Sequence, residues 1–585
     1  MKKLLCFIQV FFLLAIPGTF SQTGAGTDIV ITKADIEKTG SAIPVSAIGE
    51  PVSSVKLYPP RWVEPTGNTP AYAMVEGSIF PVDPNGWPIN FRVILPAAWS
   101  QRAIQMGGGG MNGMITVRAG SNPLISEGFA LYGSDSGHQA VGMGGPGGKP
   151  GAPLATGPAG TSSNDWAVNE EAIRNLGYMQ MKKTHDAAIV IMERIYGKGP
   201  GYNYYVGNSQ GGREGLVVAQ RYPEDYDGII SNVPIVNFSS LMLAPELIRI
   251  QEKPVANWVT PAKVNSIRAE FLRQCDKLDG LADGIINNYM AARELFNVND
   301  GKGPSDPWAA LRAPNGIDVN PKDTSSSVRL TDGQIKTLEF CYSPYKFSTP
   351  LAYGVRYFGM WLPTVNPDDF GMITEQRYKG QEGAGENAPV HSSLGTLGVT
   401  GFLMQNVNAN PLDYVEGAAY NKRREVISEW LDATNPDLSA FYRHGGKLII
   451  TIGAMDNIAS SGAQLDYYQS VIDKMGQKKT DKFARMYVVP QGGHGLSGKS
   501  YKVNGEGKSV MIKLIPAPDM NDNINLLIGW VENKQAPPKT LVIDPQGHIG
   551  FKPEGKGYLL CSYPCYPKYI GGPAELVSSF EPSKE

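Results

Sequence analysis

The stretch Gly207-Asn208-Ser209-Gln210-Gly211 fits the pattern G-x-S-x-G, in which small residues permit a sharp turn that lifts a serine hydroxyl clear of the backbone. A serine hydroxyl is a weak nucleophile near neutral pH, so it needs a histidine to accept its proton and a carboxylate to orient that histidine. When such a serine sits between a strand and a helix, the chain order of the three is serine, acid, histidine. Of the six histidines, His494 lies on a glycine-rich loop, Pro490-Gln491-Gly492-Gly493-His494-Gly495, directly after the last apolar run. His138, His185, His391 and His548 precede the acid position or fall outside a strand-end loop, and His444 precedes its strand; all five read as structural or surface histidines. The acid is Asp456, which closes the apolar run before that of His494, whereas Asp466 and Asp473 fall in the following helix and read as solvated. A tetrahedral oxyanion further requires two backbone N–H donors. Gln210 supplies one, and Gly109 or Gly110 of the run Gly107–Gly110 supplies the other. That run does not lead into G-K-[ST], which sets aside a phosphate cradle.

A second group of residues points to a metal. Within CDKLDGLADGII (275–286), Asp276, Asp279 and Asp283 alternate with glycines, so three carboxylates can converge on a hard cation while the carbonyls of Leu281 and Ile285 complete an oxygen shell. The spacing and the missing terminal glutamate exclude an EF-hand. On these residues alone, a solvated acidic turn stands as the alternative.

The elements that must carry these groups can be read from periodicity. Phe91–Leu95 and Ala103–Met106 are short apolar runs bounded by turn residues, and the second leads into the glycine run. Apolar residues at helical spacing predict a helix over 169–196. Tyr202–Val206 reads as a strand, and Glu214–Arg221 as a helix stopped by Tyr222-Pro223. Residues 446–452 and 484–489 are two further strands, with a helix from Gly462 to Met475 between them. Helix, strand, sharp turn, helix is an α/β pattern. Residues 236–433 interrupt it with polar, Pro/Gly/Asn-rich sequence. The predicted organisation is therefore a catalytic domain over 22–235 and 434–585 with a second domain, 236–433, inserted into it.

The 585 residues exceed one small module, and 42% hydrophobic with 18% charged residues excludes global disorder. Fifty-three Lys and Arg against 55 Asp and Glu leave no basic excess to pair with phosphates, so nucleic acid is not a partner. Lys2 and Lys3, an apolar run from Leu4 to Ile16, and Pro17-Gly18 before small residues read as a secretory signal peptide over 1–21. The run is too short for a membrane span of about 20 residues. No membrane anchor is expected. In an oxidising compartment the remaining cysteines, Cys275, Cys341, Cys561 and Cys565, predict one or two disulfides.

Eight segments carry a resemblance over nearly all of the chain: MGGGGMNG (106–113), SDSGHQ (134–139), GNSQGGREGL (207–216), AQRYPEDYDGI (219–229), DLSAFYRHGGKL (437–448), QLDYYQSVIDKMG (464–476), GWVENKQAP (529–537) and LLCSYPCYP (559–567). Together they resemble the tannase and feruloyl esterase family, which also takes in hydrolases of mono(2-hydroxyethyl) terephthalate. The resemblance implies an α/β-hydrolase fold with a large inserted lid, a structural calcium ion on Asp276, Asp279, Leu281, Asp283 and Ile285, and small-molecule esters of aromatic acids as substrates. This chain departs from the family at Asn208 and Gly495, where members usually carry a linked cysteine pair, and at Ile452 and Asn457, where histidine and proline are common.

The resulting expectation is a secreted or periplasmic serine carboxylesterase. Two other readings stand beside it. One is a secreted serine peptidase, distinguished by cleavage of a peptide amide. The other is a calcium-dependent binding protein on an inactive hydrolase scaffold, distinguished by failure of Ser209 to react with a fluorophosphonate.

Overall fold

The computed structural model describes residues 28–118, 120, 122–139, 154–158, 164–252, 254–259, 263–318, 329–362, 397–550 and 555–584. Residues 1–21, read as a signal peptide, and His391 lie outside them. Among the described residues, thirteen strands form the main sheet: β1 Ala42–Ile43, β2 Ser54–Leu57, β3 Arg61–Val63, β4 Tyr72–Phe80, β5 Ile89–Pro96, β6 Arg102–Met106, β7 Phe129–Ser134, β8 Tyr202–Asn208, β9 Gly228–Asn232, β10 Lys447–Gly453, β11 Ala484–Val489, β12 Thr540–Ile543 and β13 Tyr558–Ser562. Six neighbours in the order β7-β6-β8-β9-β10-β11 run parallel. Antiparallel strands β5, β4, β2 and β1 extend one edge, with β3 paired to β4, and β13 and β12 extend the other.

The apolar runs are near-continuous because the parallel strands are buried on both faces. Leu448, Ile450, Ile452, Met486 and Val488 belong to one hydrophobic cluster, while the alternating Ile449, Tyr487 and Val489 belong to another. Around the sheet and in the excursion from it lie the longer helices α1 Gln180–Tyr196, α2 Gln210–Arg221, α3 Phe238–Gln251, α4 Val264–Cys275, α5 Tyr289–Phe296, α6 Asp332–Tyr342, α7 Asn421–Leu431, α8 Ser461–Met475 and α9 Met520–Asn533. Leu216 to Ala219 of α2 pack into the first cluster; Ile524, Leu527, Trp530 and Val531 of α9 cover the second. The helix predicted over 169–196 forms, but with a π-helical turn at Asn175–Met179 before α1. Asn169 caps its start, accepting the Ala172 amide at 2.9 Å, and Gly197 ends it at φ 84°.

Between β9 and β10 the chain leaves the sheet for α3 to α7 and a two-stranded ribbon, Tyr345–Lys346 with Tyr357–Phe358. Phe238, Phe271, Trp308, Leu338 and Ile427 of this excursion share one hydrophobic cluster with Leu448 and Met486 of the sheet. The expectation of disulfides is not met: no disulfide joins Cys275, Cys341, Cys561 or Cys565. Cys275 ends α4, Cys341 lies in α6 and Cys561 in β13, each buried as a small apolar side chain. Burial pushes the Cys275 and Cys561 thiols up and so suppresses the thiolate.

Candidate active site

Three strand ends meet at the site. β8 runs into Ser209, whose φ of 60° and ψ of −118° mark a strained turn before α2. The turn is held by hydrogen bonds: the Ser209 amide donates to Asn232 O at 2.9 Å, and Ser209 O accepts from Arg213 N at 3.0 Å. A Cβ on Gly207 would meet Gly211 O at 2.2 Å, so the close return of the chain requires glycine there. β10 ends at Gly453 and leads through Ala454 and Met455 to Asp456, which is 1% exposed. β11 leads to His494. The two loops are stitched together by Ala454 N to Val489 O at 3.0 Å and Met455 N to Gly492 O at 2.9 Å.

These turns bring the three predicted side chains into line. His494 Nε2 lies 2.8 Å from Ser209 Oγ, and His494 Nδ1 lies 3.1 and 3.0 Å from the two oxygens of Asp456. Asp456 Oδ1 also accepts the amides of Ile458 and Ala459 at 3.0 and 2.8 Å, which fixes the carboxylate before it meets the ring. Burial disfavours a charged His494, but the Asp456 charge and hydrogen bond outweigh it and hold the imidazole above its usual range. Such a line can take a proton from the hydroxyl as it attacks and return it to a leaving group.

Of the donors predicted for an oxyanion, Gln210 directly follows the serine, and the glycine run touches the start of its helix through Gly108. Gln210 opens α2, and Gly211 N donates to Gly108 O at 3.1 Å, placing the glycine run against the helix start. Gly109 is exposed, Gly110 is half-buried at φ 59°, and neither amide has a partner among the described residues. Asn208 and Gly495 are both exposed.

The other described histidines are occupied elsewhere. His138 stacks on Trp166 with centroids 3.8 Å apart, and burial lowers its pKa to about 3. His185 pairs with Asp186 at 2.8 Å, while His444 and His548 face Asp227 and Asp522. Sequence reasoning missed Gln464 of α8, whose amide donates to Asp456 Oδ2 at 3.4 Å and to Pro234 O at 3.1 Å. It lies in the segment 464–476 already singled out, but nothing local marks it as a partner of the acid.

The acidic loop follows α4. Asp276 and Asp279 are each 1% exposed. Burial, with the Asp283 charge adding to it, pushes their carboxyls up to about 6 and about 7 respectively. The carbonyls of Leu281 and Ile285 accept no hydrogen bond among the described residues. Buried acids beside unused carbonyls fit a hard cation in donor type and charge. The three carboxylates do not each bring an oxygen within 4.8 Å of the others, and Asp283 Oδ2 is paired with Lys513 Nζ at 2.7 Å. Closing around a cation would require Asp283 to exchange that partner.

A parallel-centred α/β sheet in which a serine, an aspartate and a histidine meet in hydrogen-bonding line after β8, β10 and β11 has the arrangement of the α/β-hydrolase class. A family model described as tannase and feruloyl esterase matches residues 73–582. An uncharacterized esterase of Agrobacterium fabrum is 32% identical over 92% of this chain and 91% of its own. A mono(2-hydroxyethyl) terephthalate hydrolase of Piscinibacter sakaiensis is 25% identical over 86% of this chain and 83% of its own. The crystal structure of feruloyl esterase B from Aspergillus oryzae matches the fold with a TM-score of 0.67 at 20% identity, covering 91% of this chain and 98% of that one. The chain belongs to the tannase and feruloyl esterase family, and it is a carboxylic ester hydrolase.

Proposed function

We propose that this protein is a secreted serine carboxylesterase that hydrolyses small-molecule esters of aromatic acids through an acyl-enzyme. The observation that carries the reading is the 2.8 Å contact of His494 Nε2 with Ser209 Oγ, backed by Asp456 on the opposite ring nitrogen. Ser209 Oγ attacks the ester carbonyl as its proton passes to His494 Nε2. Gln210 N–H, with Gly109 or Gly110 N–H, stabilises the developing oxyanion. His494 then returns the proton to the departing alcohol, and a water deprotonated by the same ring releases the acid and restores Ser209.

The aromatic acyl group is supported by the names of the relatives, a terephthalate monoester hydrolase and probable feruloyl esterases among them. Export is supported by the segment 1–21, and no described helix is long and apolar enough to cross a membrane. Residues 236–433 are proposed as a lid over the catalytic domain. Calcium would be held by Asp276, Asp279 and Asp283 with the carbonyls of Leu281 and Ile285. Its contribution when bound is to neutralise buried negative charge. Hydrolysis rates on methyl ferulate, methyl gallate and mono(2-hydroxyethyl) terephthalate, beside an aliphatic ester and a peptide amide, test the substrate class. A preference for the aliphatic ester, or release from the amide alone, would overturn it.

A further inference from the structure

Glu214 of α2 is 1% exposed and makes no ion pair among the described residues. Its neighbour Arg213 spends its guanidinium on Gln210 Oε1 and on the carbonyls of Gly177, Leu431 and Leu176. Four neutral donors surround the Glu214 carboxylate instead. Oε2 accepts Tyr205 Oη–H at 2.7 Å and the Gly108 amide at 3.1 Å; Oε1 accepts Asn112 Nδ2 at 2.6 Å and Gln180 Nε2 at 3.1 Å. A carboxylate is costly to bury and is retained where its hydrogen bonds fix something.

Two of those donors belong to the glycine run and its exit. Gly108 is therefore held at both ends, its N–H on Glu214 and its carbonyl on Gly211 N at 3.1 Å. Asn112, at φ 63°, closes a turn with its amide on Gly109 O at 2.7 Å. The pinned positions bracket Gly109 and Gly110, whose amides have no partner among the described residues. The fit is tight, since a Cβ on Gly107 would meet Gly211 Cα at 2.6 Å and Glu214 Oε2 at 3.1 Å.

We infer that Glu214 is a positioning residue that holds the 107–112 loop so that the Gly109 or Gly110 amide faces the oxyanion formed at Ser209. The nucleophile's own helix thereby aims the second oxyanion donor, and the two donors are locked in one frame. This rests on the serine-esterase reading. Fluorophosphonate labelling of the unaltered enzyme tests that reading separately, since labelling of Ser209 does not depend on what Glu214 does.

The experiment compares Glu214→Gln with Tyr205→Phe in the full-length protein. Glu214→Gln keeps the shape but turns an N–H pair toward donors that need an acceptor, whereas Tyr205→Phe removes one donor and leaves the Gly108 and Asn112 hydrogen bonds to Glu214 in place. Losing an oxyanion donor outright costs about 10²–10³-fold in kcat, so misaiming one is expected to cost about 10- to 100-fold. KM should stay within about threefold, and affinity for an aryl boronic acid, whose adduct on Ser209 is tetrahedral and anionic, should fall in parallel with kcat. Tyr205→Phe should keep kcat within about threefold even where its melting temperature drops. Folded Glu214→Gln with unchanged kcat, or with a kcat loss not matched by boronate affinity, would overturn the inference. If Glu214→Gln does not fold, Asn112→Gly, which tolerates the positive φ, carries the same test: the same split supports the role, and unchanged kcat overturns it.

Discussion

Lys513 Nζ lies 2.7 Å from Asp283 Oδ2, and this pair ties the hairpin that follows His494 to the acidic loop that follows α4. The same two segments share the hydrogen bonds Gly505 N to Asp276 Oδ2 at 2.7 Å, Tyr501 N to Gly284 O at 3.0 Å and Asn504 Nδ2 to Ala282 O at 3.2 Å. The buried acids and the chain leaving His494 are thus one mechanical unit.

Calcium, proposed to neutralise the buried charge of Asp276 and Asp279, should act on stability rather than on the chemical step. At about a hundredfold over its Kd, a ligand that binds only the folded state stabilises by about 2.7 kcal/mol. Thermal melts with excess calcium and with a chelator should separate accordingly, while kcat of the still-folded enzyme changes little. Superimposable melts would remove the metal from the account.

Gly453 is where the acid's strand meets the histidine loop. A Cβ there would lie 2.2 Å from Gly492 O and 2.5 Å from Gly493 O, and neither backbone atom can yield cheaply. Gly453→Ala should cost about 1–3 kcal/mol and, by moving Asp456 away from His494, lower kcat by more than about tenfold. Denaturant melts and ester hydrolysis measured together check both halves. A fully active, equally stable variant would show that the loops are not wedged together.

The pH profile follows from His494. The ring must be neutral to accept the serine proton, and Asp456 holds its pKa above the usual value. Activity should rise with pH through a midpoint above about 6.5. Asp456→Asn removes the charge that opposes burial, so the midpoint should fall while kcat drops on the order of 10⁴-fold. A midpoint that stays put or rises in the variant would contradict the assignment.

The meeting of Ser209, Asp456 and His494 was legible because each occupies a turn after an apolar run, and the parallel strands bring those turns to one edge of the sheet. The start of α2 was not. Helix formation was expected from Glu214, but the helix begins at Gln210, because Gly211 and Gly212 weaken local propensity yet are required by packing: a Cβ on Gly212 would sit 2.4 Å from Asn232 O. The antiparallel pairings β4 with β5 and β5 with β7 left no readable signal, since both faces are buried and alternation is lost. Glu214 was invisible as a site residue because Gly108 and Asn112, which it holds, are distant in sequence; Gln464 is near Asp456 in sequence but reaches it only because the chain turns back between them, which no residue spacing encodes.

An activated Ser209 should be countable by active-site titration. Reaction with a fluorophosphonate should add one adduct per chain, mapped to Ser209 by peptide mass, with hydrolysis of a p-nitrophenyl ester lost in proportion. Ser209→Ala and His494→Ala should each reduce turnover by more than about a thousandfold while melting cooperatively. An adduct on another residue, or a Ser209→Ala protein that keeps activity within about tenfold of the parent, would contradict the account.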